Sequence, residues 1–550
     1  MTGELSCGLL ESAAMQVRVL LPRGTRTNPI SRLRTTLAAG LAVAGLVALS
    51  ACRAESRDRS GHRVVVLGVD GATWDVIDPL MAQGELPNFR RLVDRGARAD
   101  LIVLPPLTSP VVWTTYATGT FSRRHHILDF LYPYVDGEKH PVESTLRREP
   151  AIWSVASEQG RSVAVVGYYV THPAEIVDGV VVSDTSLRSS DGTTYPTSLA
   201  AELDLVGTPE ERQRAYRRFL PWSYDPRAAD DPASPEHAVS RIVRGRIDGA
   251  IVADENVRRN AFRLLDRGDD LFMTYLRIVD HASHSTWRYY DDSELEEKAD
   301  PEGKRLLGDL IPEAYRFVDE FLGEVMARVG KDANVILISD HGFGPATGAY
   351  AIRDERFADI LSGNHRHDGI LLAAGPDIQP GTYEGVAMTD VAPLILALLG
   401  LPISDELPGR VPDELLADGF ESRHPRVRVP AYNKRWSTVV GSGGVDEHTM
   451  DQLKALGYVA SSTPSGRGAT EEVDYWRIDL RLRQGSLLGE LLFDLMRGKT
   501  AEADRLMALV REKDPDLAAE LPRIVRSVGA TMQKDFPFTL FPDGALDSLH

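Results

Sequence analysis

Cysteine is nearly missing: Cys7 and Cys52 are the two in 550 residues. Two thiols cannot staple a disulfide scaffold or build a cysteine-rich zinc site. Basic charge is in deficit, with 62 Lys+Arg against 80 Asp+Glu and a net charge of −18. That balance excludes a general nucleic-acid scaffold, which needs clustered cations for phosphates. Aromatic residues make up only 7%. Any chemistry must therefore rest on Ser, Thr, His, Asp and Glu. What is present is ordinary for a globular chain: 43% hydrophobic and 26% charged. This is enough for a large core and excludes disorder, collagen or coiled coil as the main state.

The amino end reads as an address. Leu37–Leu49 is an apolar run, short for a membrane span, and Arg32 and Arg34 precede it. It ends in Leu49-Ser50-Ala51-Cys52, which resembles the lipobox of bacterial lipoprotein signals. On this reading residues 1–51 are a signal peptide, and Cys52 is lipidated and anchors the chain to a membrane. The expected location is the bacterial cell envelope, on the periplasmic or extracellular face.

A tether, 52–62, leads into Arg63–Asp70, whose β-branched run is apolar on both faces, as in a buried parallel strand. Similar runs recur at Ala99–Leu104, Ser162–Gly167, Gly179–Val182, Leu271–Val279, Asn334–Ser339 and Gly369–Ala374. Helical patterns lie between several of them, including Ile77–Gly96 and Ile311–Val329. Such alternation predicts an α/β three-layer sandwich with a mostly parallel central sheet. The less regular stretch at about 131–270 reads as an inserted cap. Residues 411–469 read as an extension and linker, with a helix at Val445–Leu456. Residues 470–550 read as a small helical tail built on a hairpin, Leu487–Arg497 and Ala501–Lys513, resembling one tetratricopeptide-type repeat.

Acidic and imidazole residues gather beside the predicted strands. Asp70 ends the first. Asp280 ends the run from Leu271, with His284 four residues on. Asp340 and His341 end another, and His365 stands just before Gly369. In a doubly wound sheet the strand carboxyl ends converge on one crevice. Carboxylates with imidazoles suit zinc or manganese. A lone Asp at a strand end is more often a turn former; this many together point to a metal site. Thr108-Ser109-Pro110 follows a predicted strand and opens a helix, where Ser109 reads as a cap with Pro110 at the first turn. A hydroxyl there also sits where an anion docks.

With these motifs in place, the chain resembles the alkaline phosphatase superfamily, in particular its type I phosphodiesterase / nucleotide pyrophosphatase-like bacterial members. The resemblance rests on Val69-Asp70-Gly71, Thr108-Ser109-Pro110 with Thr118-Gly119, Asp280 with His284, Ser339-Asp340-His341-Gly342, and His365 with Gly369, in that order across roughly Val64 to Pro408. It implies a catalytic domain over 63–410 and a metal-dependent phosphohydrolase cleaving phosphate esters, diester or monoester. The nucleophile would be Ser109, nine residues before Thr118 as in the family, with Thr108 the alternative. Two divalent cations, zinc or else manganese, would be held by Asp280, His284 and His365 on one side and by Asp70, Asp340, His341 and Ser109 on the other. His367 rivals His365; His281 and His125 are secondary. Arg123, Arg277, Trp287 and Arg366 are candidates for contact with substrate. Departures exist: Val112 stands where pyrophosphatase members carry Asn, and the sulfatase signature is not met at Ser109. The alternatives are a phosphotransferase or mutase of the same superfamily, or a surface-anchored binding protein whose site is retired.

Overall fold

The structure, a computed structural model, describes residues 62–133, 139–184, 192–220, 242–243, 246–351, 361–439 and 475–549. The signal segment with Cys52, most of the expected linker and the helix expected at Val445–Leu456 lie outside these residues.

The strands of the central sheet are β1 (Arg63–Val69), β2 (Ala97–Ile102), β3 (Val163–Val166), β4 (Gly179–Val182), β5 (Thr194–Tyr195), β6 (Leu271–Leu276) and β7 (Ala333–Ile338). A short ribbon, β8 (Gly342–Pro345) and β9 (Gly363–Arg366), lies apart from them, and β10 (Asp368–Ala374) and β11 (Gly381–Ala387) complete the sheet. Among the described residues the sheet has nine strands in the order β11-β2-β10-β7-β1-β6-β3-β4-β5. The centre is parallel, β1 pairing with both β6 and β7. β10 runs antiparallel to both its neighbours.

The three layers follow from the strand period. Val64 and Val66 of β1 enter one apolar core, while Val65, Leu67 and Val69 enter the other. The second core is roofed by α1 (Trp74–Ala82), α2 (Pro87–Arg95), α4 (Ile247–Leu265), α5 (Ile278–Tyr290) and α6 (Leu310–Val329), and the first by α3 (Ser109–Thr118). All ten residues of α3 are buried, and Gly119, at φ +69°, ends it by donating its N–H to Thr115. The largely helical stretch over Ile77–Gly96 is two helices: Gly84 takes a positive φ after the first, and Pro87 starts the second.

The stretch at 131–270, read as an inserted cap, also builds part of the central sheet. It supplies three sheet strands, β3, β4 and β5, together with α4. The tail is helical, as expected, and is packed onto the catalytic domain. It forms three helices, α7 (Leu480–Met496), α8 (Thr500–Lys513) and α9 (Pro515–Met532), and their apolar faces share the first core with β2 and α3. Contact is close: a Cβ added to Gly489 would lie 2.2 Å from the carbonyl oxygen of Pro105. Ser122 Oγ donates to Ser486 Oγ at 2.9 Å, and Arg123 forks onto Glu490 at 2.9 and 2.8 Å.

Candidate active site

The carboxyl ends of β1, β6 and β7 deliver the cluster. Asp70 follows β1, and Asp340 and His341 follow β7. Asp280 and His284 occupy the first two turns of α5, since β6 stops at Leu276 and the helix starts at Ile278. The expected strand to Val279 is thus shorter, and a four-residue spacing puts both groups on one helix face. Asp254 of α4 fixes that helix start, its Oδ2 accepting the N–H groups of Arg277 and Ile278, both at 2.8 Å. His365 arrives on β9, opposite Phe343 of β8. Gly71 allows the close approach. Its φ is +70°, and a Cβ there would stand 3.1 Å from Asp280 Cα. Its N–H donates to Asp340 Oδ1 at 3.1 Å.

The groups meet within a few ångströms. Asp280 Oδ1 lies 3.3 Å from His284 Nε2, 3.4 Å from His365 Nε2 and 3.8 Å from His341 Nε2. His341 Nε2 lies 3.3 Å from Asp70 Oδ1 and 3.5 Å from Asp340 Oδ2. Asp280, His341 and His365 form one potential ligand group, and Asp70, Asp340 and His341 another. His284 and His365 face each other Nε2 to Nε2 at 2.8 Å.

The ring nitrogens on the far side decide what the site wants. Nδ1 of His284 faces Gly363 O at 3.2 Å, that of His341 faces Gly342 O at 3.1 Å, and that of His365 faces Leu107 O at 2.8 Å. A carbonyl only accepts, so each Nδ1 carries a hydrogen, and each Nε2, once free of any second proton, presents a lone pair. Three lone pairs and three carboxylates then converge. Among the described residues Asp70 Oδ1, Asp280 Oδ1, Asp340 Oδ2 and His341 Nε2 are buried without a hydrogen bond. Such a donor set fits divalent cations.

The titration directions agree. Burial, then repulsion from Asp70, holds Asp340 well above the usual carboxylate range. Burial would raise Asp280 too, but His284 and His365 hold it well below. Burial would lower His341, yet Asp340, Asp70 and Asp280 push it up to about 10. Burial and then His341 lower His365 to about 4. A single proton on His341 answers only part of this negative charge, whereas divalent cations answer it all.

Other expected residues stand elsewhere. His367 sends Nδ1 to Val103 O at 2.8 Å, and His281 sends its own to Arg246 O at 2.7 Å; neither joins the cluster. His125 is buried, with Nε2 3.1 Å from Thr115 Oγ1, and is structural. His126, next to it, takes a left-handed backbone at φ +68°. Arg123 is engaged by Glu490. Arg366 lies over the Tyr350 ring at 3.8 Å and donates to three backbone carbonyls. Trp287 stacks on Phe343 at 5.9 Å and packs as core. Arg277 is different. It lies over the Tyr275 ring, its Nε is 3.5 Å from Asp254 Oδ1, and its Nε and Nη2 make no hydrogen bond among the described residues. Val112 is buried in the first core.

Two hydroxyls open α3. Thr108 is its N-cap but makes no capping hydrogen bond, and its Oγ1 is buried without a partner among the described residues. Ser109, also buried, is the first helical residue. The Leu107 contact to His365 ties this turn to the cluster. Tyr275, whose hydroxyl donates to Asp70 Oδ2 at 2.5 Å, was not legible as a site residue, because a strand tyrosine reads as core.

Fold and cluster together define the class: a candidate metal-binding centre suited to oxyanion chemistry, at the switch end of an α/β sheet. The family follows from the chain itself. Residues 64–400, well over half of it, match the model for type I phosphodiesterase / nucleotide pyrophosphatase, and the chain belongs to that family. Membership makes it a phosphoric ester hydrolase. No curated protein matches the chain. Among solved structures it is similar to murine ectonucleotide pyrophosphatase / phosphodiesterase 5 in complex with AMP, at 14% identity and TM-score 0.39, over 65% of this chain and 100% of that one. It is similar to phosphonoacetate hydrolase from Sinorhizobium meliloti at 16% identity and TM-score 0.32, over 53% and 59%. A 2-O GAG sulfatase matches at 12% identity and TM-score 0.41, over 64% and 74%.

Proposed function

We propose that the chain hydrolyses phosphate esters, diester or monoester, through a phosphoenzyme on a hydroxyl at the amino end of α3, beside two divalent cations. Asp280, His284 and His365 would hold one cation, and Asp70, Asp340 and His341 the other, with zinc the expected metal and manganese the alternative. When bound, they supply charge neutralisation and Lewis acidity at the phosphoryl oxygens. The observation that carries this reading is the buried gathering of three carboxylates and three lone-pair imidazoles next to an unused hydroxyl.

Thr108 is favoured over Ser109 as the nucleophile. An N-cap threonine normally accepts from the second or third helical N–H, and Thr108 does not. Its oxygen is left to attack phosphorus. In that step a bond forms between Oγ1 and phosphorus, the bond to the ester oxygen breaks, and the departing alcohol takes a proton. Water then attacks phosphorus, the bond to Oγ1 breaks, and the threonine hydroxyl is restored. Spacing to Thr118 favours Ser109, which is the second reading. Arg277, with donors to spare, would hold a phosphoryl oxygen.

The test is turnover of nitrophenyl phosphate esters by Thr108→Val and Ser109→Ala, with metal content measured on each. Loss of turnover in Thr108→Val with metal retained, and near-normal rates in Ser109→Ala, supports the assignment. The reverse pattern moves the nucleophile to Ser109. Undiminished turnover in both rejects the phosphoenzyme.

The lipoprotein signal ending at Cys52 would place this hydrolase on the bacterial cell envelope, as a lipid-anchored enzyme facing the periplasm or exterior. No helix among the described residues is long and apolar enough to cross a membrane. Metabolic labelling with a fatty acid, lost in Cys52→Ala, tests the anchor.

A further inference from the structure

We propose that His62, Asp377 and His424 form a separate zinc site at the end of the sheet opposite the catalytic cluster. The three offer ligand atoms all within 4.8 Å of one another. His62 immediately precedes β1, and Asp377 lies three residues past the end of β10, whereas Asp70 lies beyond the other end of β1. Seven residues of strand separate the two ends, about 23 Å at the usual rise per residue. The new site therefore shares no ligand with the old one.

Asp377 is built as a ligand. It is wholly buried, and Asn334 grips it twice: Asn334 Nδ2 donates to Oδ2 at 2.9 Å, and the Asp377 N–H donates to Asn334 Oδ1 at 3.1 Å. This grip fixes the carboxylate much as outer partners fix metal ligands. Its Oδ1 makes no hydrogen bond among the described residues, nor does Nδ1 of His424. A buried carboxylate oxygen without a donor is unfavourable unless a cation faces it. His62 Nδ1 lies 2.6 Å from Oδ2, and His424 Nε2 lies 3.9 Å from Oδ1.

Two imidazoles and one carboxylate, with water as a fourth ligand, suit tetrahedral zinc; calcium and magnesium prefer oxygen-rich sets. The competitor is Arg423, whose Nη2 stands 3.7 Å from Asp377 Oδ1. Its side chain is 47% exposed, so it can swing aside when the cation binds. Bound zinc would fasten the segment entering β1 to the turn after β10 and to His424.

Zinc content of the full chain, measured by mass spectrometry after gel filtration, tests this. His62→Gln and His424→Gln are each expected to lose one equivalent per chain while ester hydrolysis is unchanged. Arg423→Gln is expected to tighten zinc binding about tenfold or more. In an Asp280→Asn/Asp340→Asn background, which removes ligands of the catalytic cluster, zinc should still raise Tm, and adding His424→Gln should abolish the rise. Unchanged zinc content in both histidine variants overturns the proposal, as does weaker or equal zinc binding in Arg423→Gln, the result of a plain His–Asp–Arg ion cluster. Failure of the catalytic reading would appear separately, as full metal and activity in Asp280→Asn.

Discussion

His284 and His365 meet nitrogen to nitrogen, Nε2 to Nε2 at 2.8 Å, while the far nitrogen of each faces a backbone carbonyl. Two lone pairs at that distance repel unless a proton or a metal ion lies between them. Asp280, 3.3 and 3.4 Å from these nitrogens, makes the same demand. The cluster is thus arranged around positive charge that the side chains themselves do not supply.

Removing that carboxylate should show it. Asp280→Asn is expected to lower kcat/KM at least a thousandfold, about 4 kcal/mol of transition-state stabilisation. Bound metal should fall by about one equivalent, measured by mass spectrometry. Normal turnover with reduced metal would show that this ligand group is not used in the chemistry.

Arg277 is the nearby cation with donors to spare. Arg277→Met is expected to lower kcat/KM for charged phosphate esters about 10- to 100-fold, roughly 1.4–2.7 kcal/mol. Most of the effect should fall on KM. Steady-state kinetics with monoester and diester substrates checks this, and the more highly charged monoester should suffer more.

Arg123 gives the contrasting result. Its guanidinium is taken by Glu490 of α7, so Arg123→Ala should act on stability. Leaving Glu490 unpaired beside the core costs about 1–3 kcal/mol, given the partial exposure of the pair. Thermal melts should show the loss, and KM should not change. A large rise in KM would return Arg123 to the substrate.

Asp254 governs a pH effect. Burial, opposed by Arg277, raises its carboxyl to about 7. Between about pH 4 and pH 7 the folded chain holds a proton there that the unfolded chain has lost. Folding takes up that proton, so this group makes stability fall as pH rises through the window, and flat above it. The ceiling is about 4 kcal/mol. Asp254→Asn keeps an acceptor for the Arg277 and Ile278 N–H groups and removes the titration. Melts across pH 5 to 8 should be flatter in the variant.

Much of this was legible in the sequence, for physical reasons. β1, β4, β7 and β10 are continuous apolar runs, as strands buried on both faces must be. Asp70, Asp340 and His341 directly follow such runs, so their place at one end of the sheet came with the strands. Asp280 was found for a partly different reason: it sits in a helix whose first turn had read as strand, because Ile278 and Val279 suit either state. The roles of Arg123 and Arg366 were not legible. Their partners, Glu490 and Tyr350, lie far away in the sequence, and only packing brings them together. The tail's helices are legible in the sequence, but their docking is not, for the same reason. Leu487 and Leu491 mark an apolar face, but nothing local says that it covers the Pro105 turn beneath Thr108. The unused N-cap of Thr108 is likewise a matter of side-chain geometry, invisible in Thr108-Ser109-Pro110.

Turnover of a nitrophenyl phosphodiester before and after chelation, then with zinc returned in known amounts, tests the central claim most directly. The expected result is no turnover in the chelated protein and recovery in proportion to the metal regained by the Asp70, Asp280, Asp340 and His341 cluster. Full turnover by protein shown to hold no divalent metal would contradict it.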